Sequence, residues 1–202
     1  MYKLYHFPYS QHGRRVVSLL EEAGIPYEIR SVAMMEGEHM SPEFLKINPN
    51  HQIPILEDGD FRLTESNAIL RFICNEHNLT QWYPTDAKLR AKVDQWLDWN
   101  QTRLAPTVTD IVLNKVFFAP NGDQQAIERG EKNLPELLDI LEGALSNSDY
   151  LVGNRPTIAD LSVASNLFHL GFAEVKPTGK TEEWYRRIFD IQGFQKSLPP
   201  KM

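Results

Sequence analysis

The chain has 202 residues, of which 42% are hydrophobic and 24% charged, and its formal net charge is -6. This composition is typical of a folded globular protein. An acidic chain does not attract polyanions, so no nucleic-acid partner is expected. No run of about 18 apolar residues occurs, which predicts no membrane span, and the first residues lack a signal-peptide pattern. Cys74 is the single cysteine, which excludes an internal disulfide, and a cytoplasmic location is expected.

The first part of the chain alternates strand-like and helix-like segments. The predicted elements are a strand at 2–7, a helix at 11–23, a strand at 27–32, a short helix at 41–46, strands at 53–56 and 61–63, and a helix from Thr64 or Glu65. A strand–helix–strand unit has a right-handed crossover, so the first two strands should be parallel. Asp58-Gly59 is typical of a hairpin turn between the last two strands.

From residue 85 onward the strand signals end and helical spacing takes over. The predicted helices cover Leu89 to Leu104, Leu134 to Leu145, a segment after Thr157, and Trp184 to Ile191 as the last well-formed one. Pro106 is expected to kink or end the first of these helices, and Thr157 with Asp160 resembles a capping box. The sequence therefore predicts an α/β domain over residues 1–77, a linker over 78–86 and an all-helical domain over 87–202.

Motifs of several other enzyme classes are absent from the sequence. There is no G-x-G-x-x-G after a strand and no G-x-x-x-x-G-K-[ST], so no nucleotide-phosphate site is expected. A G-x-S-x-G nucleophile elbow is also missing. The six histidines lack the spacing of metal ligands, and we expect no metal site.

Three short segments of the first domain combine into a pattern. They are Phe7-Pro8-Tyr9-Ser10-Gln11, Gln52-Ile53-Pro54 and Thr64-Glu65-Ser66-Asn67-Ala68-Ile69. Together with the helical second half, these segments resemble a soluble glutathione transferase of the theta-like or a related bacterial branch. The resemblance implies a thioredoxin-like first domain, an all-α second domain and a homodimer.

By this resemblance, Ser10 is the catalytic hydroxyl that hydrogen-bonds the sulfur of glutathione. A free thiol has a pKa of about 8.5, and lowering it by about 2 units requires about 2.7 kcal/mol of preferential stabilisation of the thiolate. A hydroxyl donor beside a helix N-terminus can supply this stabilisation. Serine before a helix is also a preferred N-cap, and Tyr5, Tyr9 and His6 are alternative groups. Arg14 either adds positive charge or lies on an exposed helix face.

The second segment is expected to bind the middle and the glycine end of the tripeptide. The family has a cis-proline at the position of Pro54, so that the backbone of Ile53 pairs with the cysteinyl unit of glutathione. The resemblance places Gln52 and His39 at the glycine carboxylate, with His51 as a further candidate.

The third segment is expected to bind the γ-glutamyl end. Glu65 pairs with its ammonium group, while Ser66 and the free N–H groups of the helix bind its carboxylate. In the alternative interpretation, Thr64 only caps the helix and Glu65 favours its positive end.

The predicted function is that of a glutathione transferase, active in detoxification, which activates glutathione as a thiolate for attack on a small hydrophobic electrophile. Glutathione is a cosubstrate, and no cofactor is expected. The electrophile is expected between the domains, near residues 100–118. Open alternatives are a glutathione-dependent dehalogenase, isomerase or disulfide reductase, and a non-catalytic binding protein of the same fold. Cys74 lies far from the Ser10 position in the sequence, which disfavours a glutaredoxin-type reductase.

Overall fold

The structure, a computed structural model, describes residues 1–200 and begins with a four-stranded sheet flanked by helices. The strands are β1 (Tyr2–His6), β2 (Tyr27–Ser31), β3 (Ile55–Asp58) and β4 (Phe61–Leu63), in the order β2-β1-β3-β4. β1 is parallel to β2, as predicted, and antiparallel to β3, which pairs with β4 through the predicted hairpin. β3 begins later than predicted because Pro54 has no amide hydrogen to donate and lies outside the ladder.

The helices α1 (Gln11–Glu22), α2 (Pro42–Leu45) and α3 (Ser66–Glu76) belong to the same unit as the sheet. α1 and α3 pack together, and their apolar side chains are buried at helical spacing. The wholly buried ones are Val16, Leu19, Leu20, Ile69, Leu70 and Ile73. This arrangement fixes the two helix starts that follow β1 and β4.

The C-terminal segment belongs to the first unit. Residues 1–79 form this unit with residues 191 to 200, while residues 80–190 form the second. A short helix, α9 (Gln192–Lys196), packs on α1, and the amide of Gly193 donates to Oε2 of Glu22 at 2.8 Å. A Cβ at Gly193 would lie 2.3 Å from the carbonyl oxygen of Ser18, so glycine permits this close approach. The division thus differs from the predicted helical domain over 87–202, and the five-residue helix α9 follows the segment from Trp184 to Ile191.

The second unit is helical. Its helices are α4 (Ala87–Trp99), α5 (Ala105–Val112), α6 (Gln124–Leu145), α7 (Ile158–Leu170) and α8 (Gly179–Phe189). Pro106 does not end the helical path, which continues from α4 into α5 through a π-helical segment at Asn100–Leu104. The wider turn of a π-helix accommodates the altered hydrogen bonding before a proline. Asn100 in this segment also bonds to Ser162 and Asn166 of α7.

The start of α7 has the predicted capping box. The Thr157 hydroxyl caps the helix, and Oδ2 of Asp160 accepts from the Thr157 backbone at 2.8 Å. Asp160 is fully buried, and its Oδ1 atom also accepts from Nε1 of Trp184 at 2.8 Å. The local pattern therefore predicted the cap, while α8 supplies an additional donor to it.

Along residues 1–200, no helix is both long enough and apolar enough to cross a bilayer.

Candidate functional site

The register of the sheet brings the three predicted segments to one end of it. β1 ends in the loop of residues 7–10, and Tyr5 near its end lies opposite Ile55 at the start of β3. β4 is antiparallel to β3, so its last residue, Leu63, lies opposite Leu56 near the same end. The loop after β1, the segment before β3 and the start of α3 are therefore neighbours.

Ser10 is the N-cap residue of α1. Its Oγ atom accepts a hydrogen bond from the amide of Gly13 at 3.1 Å, and its own amide donates to the Phe7 carbonyl at 2.8 Å. A hydroxyl that accepts at its oxygen still has its hydrogen to donate, and this hydrogen makes no hydrogen bond to another residue among 1–200. Capping and donation to a ligand are therefore compatible roles for one side chain.

The alternative tyrosine hydroxyls already have acceptors. The Tyr5 hydroxyl donates to Oε2 of Glu57 at 3.3 Å, and burial together with this carboxylate raises the Tyr5 pKa. The Tyr9 hydroxyl donates to the carbonyl of Pro200 at 3.3 Å. The Ser10 hydroxyl is thus more available to donate to a ligand than the hydroxyl of Tyr5 or Tyr9.

His6, the third alternative, lies beneath the first turn of α1. It is 5% exposed, its Nδ1 atom has no hydrogen-bond partner within the described chain, and burial with the nearby Arg14 lowers its pKa to about 4. The imidazole is therefore neutral at pH 7. Gly13 packs directly on it, because a Cβ at that position would lie 2.2 Å from Nδ1 of His6. The contact between His6 and Gly13 therefore fixes the position of the first turn of α1, which Ser10 caps.

Replacing Gly13 by alanine is expected to destabilise the protein by about 1–3 kcal/mol, since the added methyl group overpacks the contact with His6. Urea denaturation measures this loss. The matched control is Gly143→Ala in α6, where an added Cβ meets nothing within 4 Å, and which should be neutral or stabilising because alanine is the better helix former. Equal free energies of unfolding for the two variants would contradict the prediction.

The peptide bond between Ile53 and Pro54 is cis, as the resemblance implies. The ladder between β1 and β3 covers Ile55 to Glu57 only, so the backbone of Ile53 lies outside it. The Ile53 side chain is buried in a core cluster with Tyr5 and Phe44. The main chain of Ile53 is therefore the part of this residue that is placed to pair with a ligand.

Asn48 holds the segment before Pro54 in place, a role that sequence reasoning did not assign to it. Its Nδ2 atom donates to the Gln52 carbonyl at 2.8 Å, and its Oδ1 accepts from the Asn50 amide at 3.0 Å. Asn48 is also buried. An asparagine two residues before another, next to a proline, is the kind of turn signal that would have suggested this role.

The two residues predicted for the glycine carboxylate lie on separate loops. His39 is in a 3₁₀ turn at Glu38–Met40, and its Nδ1 atom is buried without a hydrogen-bond partner inside the described part of the chain. The Gln52 side chain is exposed. No hydrogen bond joins these two residues to each other within residues 1–200.

The start of α3 is uncapped by any side chain. Glu65 occupies the N-cap position with a φ of 64° and makes no capping hydrogen bond. The interpretation in which Thr64 only caps the helix is therefore wrong. A positive φ at a non-glycine residue costs about 1–3 kcal/mol and is concentrated at ligand sites. Ser66 follows as the first helical residue and is 5% exposed.

Arg14 and Arg15 are both fully buried, so the interpretation of Arg14 as a solvated residue is wrong. They bring positive charge to the helix starts described above, and Arg15 donates to Ser66 and Asn67. Among the residues that the structure describes, no cluster of histidine, cysteine, aspartate and glutamate is arranged to hold a metal.

Comparison with known proteins covers both units. The chain matches the family described as glutathione S-transferase, N-terminal domain, over residues 1–75, and the corresponding C-terminal domain family over residues 100–189. Glutathione S-transferase F10 of Arabidopsis thaliana is 36% identical over 180 residues, which cover 86% of this chain and 81% of the relative. Glutathione S-transferase theta-1 of Homo sapiens is 34% identical over 188 residues, which cover 89% and 78%.

Solved structures show the same similarity. The apo form of human glutathione-S-transferase T1-1 has a TM-score of 0.90 at 31% identity and covers 98% of this chain and 87% of its own. Glutathione transferase F2 from Populus trichocarpa has a TM-score of 0.86 at 30% identity and covers 98% and 97%. The similarity extends over nearly the whole chain.

Proposed function

The chain belongs to the glutathione S-transferase family, and we propose that it activates bound glutathione as a thiolate for attack on a small hydrophobic electrophile. It has the fold of that family, a thioredoxin-like domain followed by a helical domain, and it is an enzyme. The observation that carries the proposal is the strand register, which brings a donor hydroxyl, the Ile53 backbone outside the ladder and an uncapped helix start to one end of the sheet.

In the proposed binding mode, each charged end of the tripeptide binds groups of complementary charge or hydrogen-bonding character. Ser66 and the amides at the start of α3 bind the γ-glutamyl carboxylate, and Glu65 binds the ammonium group. The main chain of Ile53 pairs with the cysteinyl unit. Gln52 and His39 bind the glycine carboxylate.

The proposed chemical step is nucleophilic attack by the bound sulfur. The thiol loses its proton to water, and the Ser10 hydroxyl donates to the resulting thiolate beside the positive end of α1. The sulfur then forms a bond to the electrophilic atom, and a leaving group departs with its electron pair where the substrate carries one. The protein contributes orientation and stabilisation of the anion.

Calorimetric titration with glutathione, followed by turnover assays on a panel of electrophiles, tests the function. We expect binding at glutathione concentrations of millimolar or below and conjugation of at least one substrate. The panel includes halides, epoxides and disulfides, so that dehalogenation and disulfide reduction are distinguished from conjugation. Binding without turnover of any substrate would favour the non-catalytic alternative, and no binding at millimolar glutathione would refute the proposal.

Replacing Glu65 by glutamine is expected to raise the KM for glutathione by about 10-fold or more, because the ammonium group loses a charge-assisted hydrogen bond worth about 1.5–3 kcal/mol. The kcat should change much less, since Glu65 does not touch the sulfur. The matched control is Glu76→Gln, the same change at the exposed C-terminal end of α3. An unchanged KM in Glu65→Gln would remove Glu65 from the binding site.

The proposal also covers the oligomeric state, the location and the biological role of the enzyme. We propose a homodimer, a cytoplasmic location and a role in detoxification, on the basis of the family and of the single buried cysteine. Phe61 of β4 is half exposed and contacts Phe72 of α3 with the two rings tilted, which leaves an aromatic surface for a second copy. Light scattering that finds a monomer at assay concentration would refute the dimer.

A further inference from the structure

A buried arginine joins the first helix to the start of α3. Nη1 of Arg15 donates to Oδ1 of Asn67 at 3.2 Å and lies 3.5 Å from Oγ of Ser66. Arg15 is fully buried, and Ser66 and Asn67 are 5% and 7% exposed. These three side chains form one polar cluster, the Arg15 cluster, in which Ser66 is the member proposed to touch glutathione.

The direction of the hydrogen bonds in the Arg15 cluster follows from the chemistry of the guanidinium group. Arginine has only donors, so Ser66 must accept from Arg15 at its oxygen. The hydroxyl hydrogen of Ser66 then points away from Arg15 and is available to a carboxylate. Without Arg15, the Ser66 hydroxyl could rotate and act as an acceptor, an orientation that repels an anion.

The charge of the Arg15 cluster also favours an anion. Burial and the adjacent Arg14 lower the Arg15 pKa to about 9, so the guanidinium is still cationic at pH 7. The positive end of the α3 dipole lies at the same place, and no side chain caps that helix. A cation held away from water beside a positive helix end strengthens the attraction for a carboxylate.

We propose that Arg15 is a positioning residue for the α-carboxylate of the γ-glutamyl unit. It acts through Ser66 and Asn67, which it holds with their acceptor atoms turned inward, and it does not contact the ligand. This inference rests on the proposed function, since it takes glutathione as the molecule bound at α3.

The decisive experiment compares two ligands with one variant. Arg15→Met is titrated calorimetrically with glutathione and with the analogue that carries 4-aminobutyryl in place of γ-glutamyl, which lacks only the α-carboxylate. The affinity for glutathione should fall by about 10- to 100-fold, the range for hydrogen bonds to charged groups. The affinity for the analogue should stay within about 2-fold of the parent protein, as for groups that are not coupled.

Three controls locate the effect. The glutaryl analogue keeps the carboxylate and lacks the amine, so it should lose affinity as glutathione does. Ser66→Ala should show the same selective loss, and adding Arg15→Met to it should cause little further loss. Arg15→Lys keeps the charge with a single donor group and should lose about 3- to 10-fold, because lysine does not replace the guanidinium fork.

Equal losses for glutathione and for the aminobutyryl analogue would overturn the proposal, because Arg15 would then support only the fold. Should Arg15→Met not fold, the same comparison of ligands with Arg15→Lys decides the question. Failure of the parent protein to bind glutathione is a separate result, which refutes the proposed function first.

Discussion

Replacing Ser10 by alanine is expected to lower kcat/KM for conjugation by about 10²- to 10³-fold at pH 7, the loss that follows removal of one donor to an anion in an active site. The pKa of the bound thiol should rise toward its free value of about 8.5. The rate should therefore recover as the pH is raised through that value. The measurements are kcat/KM against pH and the ultraviolet absorbance of the bound thiolate.

Ser10 also caps α1, so its two roles must be separated. Loss of a cap costs about 1 kcal/mol of stability, and the structure gives a matched change at Asp123, whose carboxylate caps α6 through the amides of Gln125 and Ala126. Asp123→Ala should cost a similar free energy of unfolding and leave the pH profile unchanged. Ser10→Thr keeps the hydroxyl and should retain most of the activity.

A Ser10→Ala variant with the parent rate and the parent pH profile would remove Ser10 as the sulfur donor. The tyrosine alternatives would then be tested as Tyr9→Phe and Tyr5→Phe. The existing bonds of these tyrosines, to Pro200 and Glu57, predict small effects for both changes. A large loss in either one would move the donor to that residue.

The sequence predicted those parts of the fold that depend on neighbours along the chain. Apolar spacing in α1 and α3, the Asp58-Gly59 turn and the Thr157–Asp160 cap are all local patterns, and the structure contains each of them. The strand–helix–strand unit and the hairpin account for the pairs β1–β2 and β3–β4, but the antiparallel pairing of β1 with β3 was not predicted. The meeting of the three site segments at one end of the sheet depends on this long-range pairing, which periodicity and turn chemistry do not specify.

The features that the sequence did not predict depend on contacts between distant residues. Arg15 meets Asn67 across 52 positions, and nothing in the helical spacing of α1 distinguishes a buried arginine from a solvated one. The packing of α9 on α1 depends on Gly193 in the same way. The left-handed φ of Glu65 is imposed by the chain on either side, since glutamate has no preference for it. The sequence therefore indicated the segments that form the site, whereas the contacts that hold these segments in place are visible only in the structure.

Replacing Asp160 by alanine is expected to lower the free energy of unfolding by about 3–5 kcal/mol, as in the breaking of a buried charged network. Asp160 accepts from the amides of Leu151 and Thr157, the Thr157 hydroxyl and the Trp184 indole, at 2.8–3.0 Å. Its removal leaves these buried donors without an acceptor, and each such group costs about 1–3 kcal/mol. Urea denaturation followed by circular dichroism measures the loss.

A comparison of Asp160→Asn with Asp160→Ala separates the loss of the negative charge from the loss of the whole carboxylate. Burial raises the pKa of this carboxyl, and the surrounding donors act in the opposite direction by stabilising its ionised form. Asp160→Asn keeps the shape and one oxygen but turns an N–H group toward two of the donors. Its free energy of unfolding should therefore lie between those of the parent protein and Asp160→Ala.

The matched control for Asp160→Ala is Asp149→Ala in the same unit. Asp149 pairs with Arg187 at 3.4 Å, but its side chain is 78% exposed. Such surface pairs contribute at most about 1 kcal/mol, so this variant should unfold almost as the parent protein does. Equal losses for Asp149→Ala and Asp160→Ala, or a loss below about 1 kcal/mol for Asp160→Ala, would mean that the donors around Asp160 find other acceptors. The expected difference arises because water replaces the carboxylate at position 149 and cannot reach position 160.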